Sequence, residues 1–272
     1  MRISFLLLFL TAALPAQATE LELWRLDCGN IEVRDLSIFS DAFAYGGQSK
    51  SLTDSCYLIR HGEDYMLWDT GLPADLIGKA PDPNSPFALS LTRTVKDQLT
   101  EISVKPEQIG RVGISHYHFD HLGQAAGFAQ ATLLIGAKDW QALQADPLPF
   151  GADSRLVKPW LDGGKRDAVT GDRDIFGDGS VVMLAMPGHT PGETALLVRL
   201  AETGPVLLSG DVVHFHEQLP RRGVPPFNTD RADTLASIDR LTEIAKQLDA
   251  TLVIQHDAGD VAKLPAFPES AK

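Results

Sequence analysis

Apolar residues fall in short β-type runs through the first third of the chain. Residues 21–27 and 31–33 read as strands, with Gly29-Asn30 interrupting them. Residues 55–60 and 65–69 are β-rich and are joined by the turn text His61-Gly62-Glu63-Asp64, which predicts a hairpin. Pro81, Pro83 and Pro86 then mark a loop. The pattern changes period at Leu91, Val95 and Leu99, the apolar stripe of an amphipathic helix. Residues 111–115 and 132–135 read as strands and 137–144 as a helix. Residues 146–179 are rich in Pro, Gly and charge, and read as loop structure able to roof a site. Three compact β runs follow at 181–186, 194–200 and 206–209. Leu235, Ile238, Leu241, Ile244 and Leu248 then form a helical stripe, and 252–254 reads as a last strand. Two sheets with helices packed outside them account for this order, in an α/β fold of one domain.

The first eighteen residues stand apart. Arg2 supplies a positive start, 5–14 is mostly apolar over roughly ten residues, too short to span a bilayer, and Ala16-Gln17-Ala18 has a cleavage-site pattern. A secretory signal peptide over 1–18 is expected, with 19–272 as the exported domain, periplasmic or secreted. No later run suits a membrane helix, so no membrane attachment is expected once the leader is removed. The formal net charge of −12 argues against a nucleic-acid partner, because phosphate would be repelled. Cys28 and Cys56 are the two cysteines. An oxidising compartment permits a disulfide, and two small buried hydrophobes on neighbouring strands are the equal alternative. Neither has a C-x-x-C partner, which argues against a cysteine zinc site.

The chemistry concentrates at His116-Tyr117-His118-Phe119-Asp120-His121, which holds three of the eight histidines. A loop leaving a strand can aim His116 and His118 at one point and Asp120 and His121 at a second. Imidazole suits zinc, and a carboxylate adds the negative charge that two dications require. His189 in Pro187-Gly188-His189, Asp211 in Ser209-Gly210-Asp211 and His256 in Gln255-His256-Asp257 each follow a predicted strand, so they can converge on the same sheet edge.

These motifs, His116-x-His118-x-Asp120-His121, His189, Asp211 and His256, resemble the metallo-β-lactamase superfamily from about residue 21 to the C-terminus. The resemblance implies an αββα sandwich of two mixed β-sheets with outer helices. It implies two divalent metal ions, expected to be Zn2+. One would take His116, His118 and His189, the other Asp120, His121 and His256, and Asp211 would bridge them. A hydroxide held between the ions would attack a carbonyl or phosphoryl group of a small-molecule substrate, and Asp120 would carry the proton. Asp69, in Leu67-Trp68-Asp69-Thr70-Gly71, matches a position that supports the ligands from behind.

The text around Cys28, Ser55–Arg60, Asp69 and the stretch from Asp211 through Phe227-Asn228 to His256 resembles the N-acyl homoserine lactonase branch. That branch carries Tyr three residues past the bridging Asp, where this chain has His214. His214 is read either as a hydrogen-bond donor to the reacting carbonyl or, with His216, as part of a surface pair. A bridging Asp211 argues against a true β-lactamase. A glyoxalase-type thioesterase is the competing enzyme, and a secreted metal-binding protein the non-enzyme alternative. Phe43, Trp160, Phe215 and Phe227 are candidates to line an acyl pocket.

Overall fold

The computed structural model describes residues 19–272, so the expected leader lies outside the described residues. Strands β1 (Leu21–Val33), β2 (Lys50–His61), β3 (Asp64–Trp68), β4 (Phe87–Ser90), β5 (Ile109–Ile114), β6 (Thr132–Gly136) and β7 (Arg166–Val169) form one sheet, in the order β4-β1-β2-β3-β5-β6-β7. Strands β8 (Arg173–Asp174), β9 (Val181–Ala185), β10 (Thr194–Leu200), β11 (Gly204–Leu208) and β12 (Thr251–Val253) form the other, in the order β12-β11-β10-β9-β8. Both sheets are mixed. The first is antiparallel from β4 to β3 and parallel from β3 to β7. In the second, β11 and β12 run parallel and the remaining pairs antiparallel.

Alternation along the strands makes the layers. Tyr57, Ile59, Met66 and Trp68 point inward and meet Val181, Met183, Leu196 and Val206 of the second sheet. Their neighbours Cys56, Leu58 and Leu67 point the other way and pack under Val95, Leu99, Trp140 and Trp160. The helices are α1 (Val95–Glu101), α2 (Phe119–Leu122), α3 (Ala137–Ala142), α4 (Lys158–Leu161), α5 (Gln218–Arg221), α6 (Arg231–Gln247) and α7 (Ala258–Val261). Ile238 and Leu241 of α6 cover Leu184, Leu197 and Leu207 on the outer face of the second sheet. The result is the expected αββα sandwich. Each large apolar side chain taken from water stabilises it by about 1.5–3 kcal/mol.

Some local features depart from the sequence expectations, and the open alternative for the two cysteines is resolved. β1 runs through Gly29-Asn30, because Cys28 forms a bulge between the pairs Asp27–Ser55 and Gly29–Asp54 and the ladder resumes beyond it. A disulfide joins Cys28 to Cys56, with their Cα atoms 5.9 Å apart. The helix expected from Leu91 starts at Val95, because Thr94 and Asp97 close a capping box there. The Pro-marked region holds the edge strand β4, and 146–179 holds β7, β8 and α4 as well as loop. Among the described residues no helix is long and apolar enough to cross a membrane.

Candidate metal centre

Five segments leave their strands toward one edge of the sandwich. Asp69 follows β3, the 116–121 segment follows β5, His189 follows β9, Asp211 follows β11 and His256 follows β12. Their side chains form two groups. His116, His118, His189 and Asp211 offer donor atoms that all lie within 4.8 Å of one another, and so do Asp120, His121 and His256. Asp211 faces both. Its Oδ2 lies 3.7 Å from His116 Nε2 and 3.5 Å from His189 Nε2. Its Oδ1 lies 3.4 Å from His121 Nε2 and 3.0 Å from His256 Nε2.

The outer nitrogen of each of three imidazoles is committed to an acceptor. His121 Nδ1 donates to Asp69 Oδ2 at 2.9 Å, His189 Nδ1 to Asn228 Oδ1 at 2.9 Å and His256 Nδ1 to the Thr53 carbonyl at 2.8 Å. A neutral ring whose proton is placed there turns a lone pair toward the centre. Ring nitrogens face one another at close range: His189 Nε2 is 3.0 Å from His118 Nδ1 and 3.2 Å from His116 Nε2, and His121 Nε2 is 3.3 Å from His256 Nε2. Converging lone pairs repel unless positive charge lies among them, so this donor set fits two divalent cations.

Burial holds the His118 imidazole down to about 4, and His116 and His189 well below the usual histidine value. In the second group burial also opposes charge, but Asp211 outweighs it. His256 is held up at about 9, and His121, with Asp69 adding to the effect, well above its usual value. Burial opposes ionisation of Asp211 as well, yet the surrounding imidazoles, His256 first, hold it well below the carboxylate range.

Asp69 anchors this centre. Its Oδ1 accepts from Ser115 N at 2.7 Å, and its Oδ2 also accepts from Gln255 Nε2 at 2.8 Å. Gly71 is required two residues later, because it has φ +66° and a Cβ there would overlap Cys28. Residues that sequence reasoning did not single out complete the support. Ser115 Oγ lies 3.1 Å from Nδ1 of both His116 and His121. Asp139, pushed up to about 7 by burial, accepts from Tyr117 N, the Thr190 hydroxyl and Gly192 N, tying the His118 and His189 loops together. Gln255 accepts from Gly210 N beside Asp211. Adjacency to a ligand in sequence was the one signal for Ser115 and Gln255.

The centre lies in a cavity of about 500 Å3, counting its open mouth. Ile31, Phe39, Leu52, Phe87, Phe119, Phe150 and Phe227 form its apolar walls. Of the four aromatics expected there, Phe227 lines the cavity. Trp160 is buried in the outer core, with its indole N–H on the Ala131 carbonyl, Phe215 packs against Tyr45, and Phe43 is exposed. His214 also lines the cavity. It is buried, and its Nε2 lies 3.2 Å from Asp211 Oδ2. His216 is exposed and stands 3.7 Å from Asp260. The 146–179 segment contributes the roof through Phe150 and Gly151. The Gly151 carbonyl accepts from Phe119 N, and a Cβ at Gly151 would overlap His118.

An αββα sandwich with two clustered donor sets at one sheet edge defines a class of metal-site proteins. The chain belongs to the metallo-β-lactamase superfamily, whose family description matches residues 52–256. It is 27% identical over 267 residues to the N-acyl homoserine lactonase AttM of Rhizobium radiobacter, covering 92% of this chain and 98% of that protein. It is 28% identical over 225 residues to an N-acyl homoserine lactonase of Bacillus cereus, covering 79% of this chain and 85% of that one. An N-acyl homoserine lactone hydrolase structure, with N-hexanoyl-L-homoserine bound at its catalytic metal centre, superposes with a TM-score of 0.80 at 23% identity. That match covers 93% of this chain and 100% of the other.

Proposed function

We propose that this protein is a dinuclear metal-dependent lactonase that opens the ester ring of N-acyl homoserine lactones. The observation that carries the reading is Asp211, which turns one carboxylate oxygen to each of two histidine groups at the floor of an apolar cavity. The relatives named as lactonases, matched along most of their length, support it.

His116, His118 and His189 would hold one cation and Asp120, His121 and His256 the other, with Asp211 shared; Zn2+ suits these donors. Bound there, two dications supply Lewis acidity and bring the pKa of water toward neutrality. The protein's own groups do the rest. The apolar walls take the acyl chain and exclude water from it. Asp120 lines the same cavity with its side chain 13% exposed, so its carboxylate can take up a proton and return it to the departing ring oxygen. His214 stands over Asp211 and can donate to the carbonyl oxygen as negative charge develops.

The test is a substrate panel. The kcat/KM for an N-acyl homoserine lactone is expected to exceed that for any penicillin or carbapenem by at least about two orders of magnitude, or ~2.7 kcal/mol in transition-state binding. Equal or better turnover of β-lactams would overturn the substrate class and leave the metal site standing. Export belongs to the same proposal and is supported by the Cys28–Cys56 pairing. Protein from the native host is expected to begin at Thr19, and soluble cytoplasmic protein with Met1 intact would contradict export.

A further inference from the structure

We infer that Glu193 is a positioning residue for the metal centre, the counterpart of Asp69 on the opposite side. The inference rests on the dinuclear reading above and assigns a role to a carboxylate that reading does not use. Glu193 follows the turn that carries His189 and is 1% exposed. Its Oε1 accepts from Asp211 N at 2.9 Å. Its Oε2 is buried without a hydrogen-bond partner and lies 3.3 Å from His116 Nδ1. One side chain therefore touches a ligand of the first group through its ring and the shared ligand through its backbone.

Two further observations show that the contact is built. Gly210 has φ +56°, and a Cβ there would overlap Glu193 Oε1, so glycine lets the Asp211 backbone approach the carboxylate. The Glu193 backbone is fixed as well, its carbonyl accepting from Met186 N at 2.8 Å.

The chemistry follows from the tautomer. His116 Nε2 faces His189 Nε2 at 3.2 Å and Asp211 Oδ2 at 3.7 Å, so it can serve a cation only if the ring proton sits on Nδ1. The hydrogen-bond partner of that nitrogen is Ser115 Oγ at 3.1 Å, shared with His121, and Glu193 Oε2 is the carboxyl oxygen standing 3.3 Å from the same atom. A carboxylate behind an imidazole fixes its orientation and makes its lone pair a stronger donor. Asp69 does this for His121 through a hydrogen bond, and Glu193 stands in the corresponding place behind His116, within reach of the same role.

Asp211 N donates to one oxygen of Glu193, and His116 Nδ1 stands beside the other. Glu193→Gln keeps the shape and offers one oxygen, so either Asp211 N or His116 Nδ1 meets an amide N–H instead. The experiment titrates metal-stripped wild type and Glu193→Gln with Zn2+ against a competing chelator and records the Co2+ absorption spectrum of each. Glu193→Gln is expected to weaken one uptake step by about 10- to 100-fold and to shift the Co2+ bands. Its metal-free thermal unfolding is expected to stay near that of wild type. Unchanged affinity and an unchanged Co2+ spectrum would overturn the inference. If the variant fails to fold, 15N-histidine spectra of zinc-loaded wild type decide. They are expected to show the His116 Nδ1 proton downfield of that of His189, whose acceptor is the Asn228 amide, as a nearby carboxylate requires, and no such difference would overturn the assignment. All these measurements are made without substrate, so a wrong lactonase reading fails in the lactone assay and leaves them unmoved.

Discussion

At the residue scale, charge and burial assign different work to neighbouring histidines. His116, His118 and His189 are held low by burial, so at neutral pH they present lone pairs without first losing protons. His256, held up at about 9, and His121 keep protons in the metal-free centre and must release them when a cation takes their place. A raised folded-state value means that the protonated form persists from the usual histidine value up to about pH 9. Affinity of the Asp120, His121 and His256 group is therefore expected to rise with pH through that window, while the other group changes little. Calorimetric Zn2+ titrations in buffers of different ionisation enthalpy check this, with proton release confined to one uptake step. Equal release in both steps would contradict the division. On the proposed role of His214 as a donor to the reacting carbonyl, His214→Ala is expected to lower kcat by about 10- to 1000-fold with a smaller effect on KM. Unchanged kinetics on the best lactone would remove it from the mechanism.

The clustering of the seven candidate ligands was legible because chemistry-bearing residues stand at strand ends, where a short sequence stretch shows both the strand and the side chain. Their supports were not. Glu193 meets His116, and Asp139 meets Thr190 and Gly192, across separations that only the fold closes. His214 and His216 looked alike as a pair, and only packing separates them, one under Phe39 and Phe227 and the other in solvent.

At the scale of elements, the helical stripe of α6 and the inner strands were legible from period alone. The edge strand β4 was not, since its residues sit beside Pro86 and take their conformation from pairing with β1. The polar start of β2, from Lys50 to Asp54, was missed for the same reason. The Cys28 bulge shows what such departures do. The Cys28 carbonyl accepts from Leu72 N, and Gly71 packs against Cys28, so the cross-linked bulge is the seat of the Asp69–Leu72 turn. The disulfide closes a separation of 28 residues, and losing it is expected to cost about 3–4 kcal/mol. Denaturant unfolding of the Cys28→Ser/Cys56→Ser double variant checks this. A loss under about 1 kcal/mol would show that the strand pairing holds the bulge by itself.

For the whole molecule, the two sheets and their outer helices carry little chemistry themselves and bring five segments to one edge. The apolar walls and the paired donor groups occupy that same edge, which on the proposed function would join a tail-binding surface to a hydrolytic centre. The central claim is that both groups must be filled and that Asp211 ties them together. The most direct test titrates metal-stripped wild type and Asp211→Ala with Zn2+, following uptake and N-acyl homoserine lactone hydrolysis in the same samples. Wild type is expected to take up two equivalents, with hydrolysis reaching its full rate only as the second binds. Asp211→Ala loses a shared negative charge between two dications and is expected to lose at least one equivalent together with the activity. Full hydrolysis with no metal or one, or an Asp211→Ala protein that takes up both ions with unchanged affinity, would contradict the account.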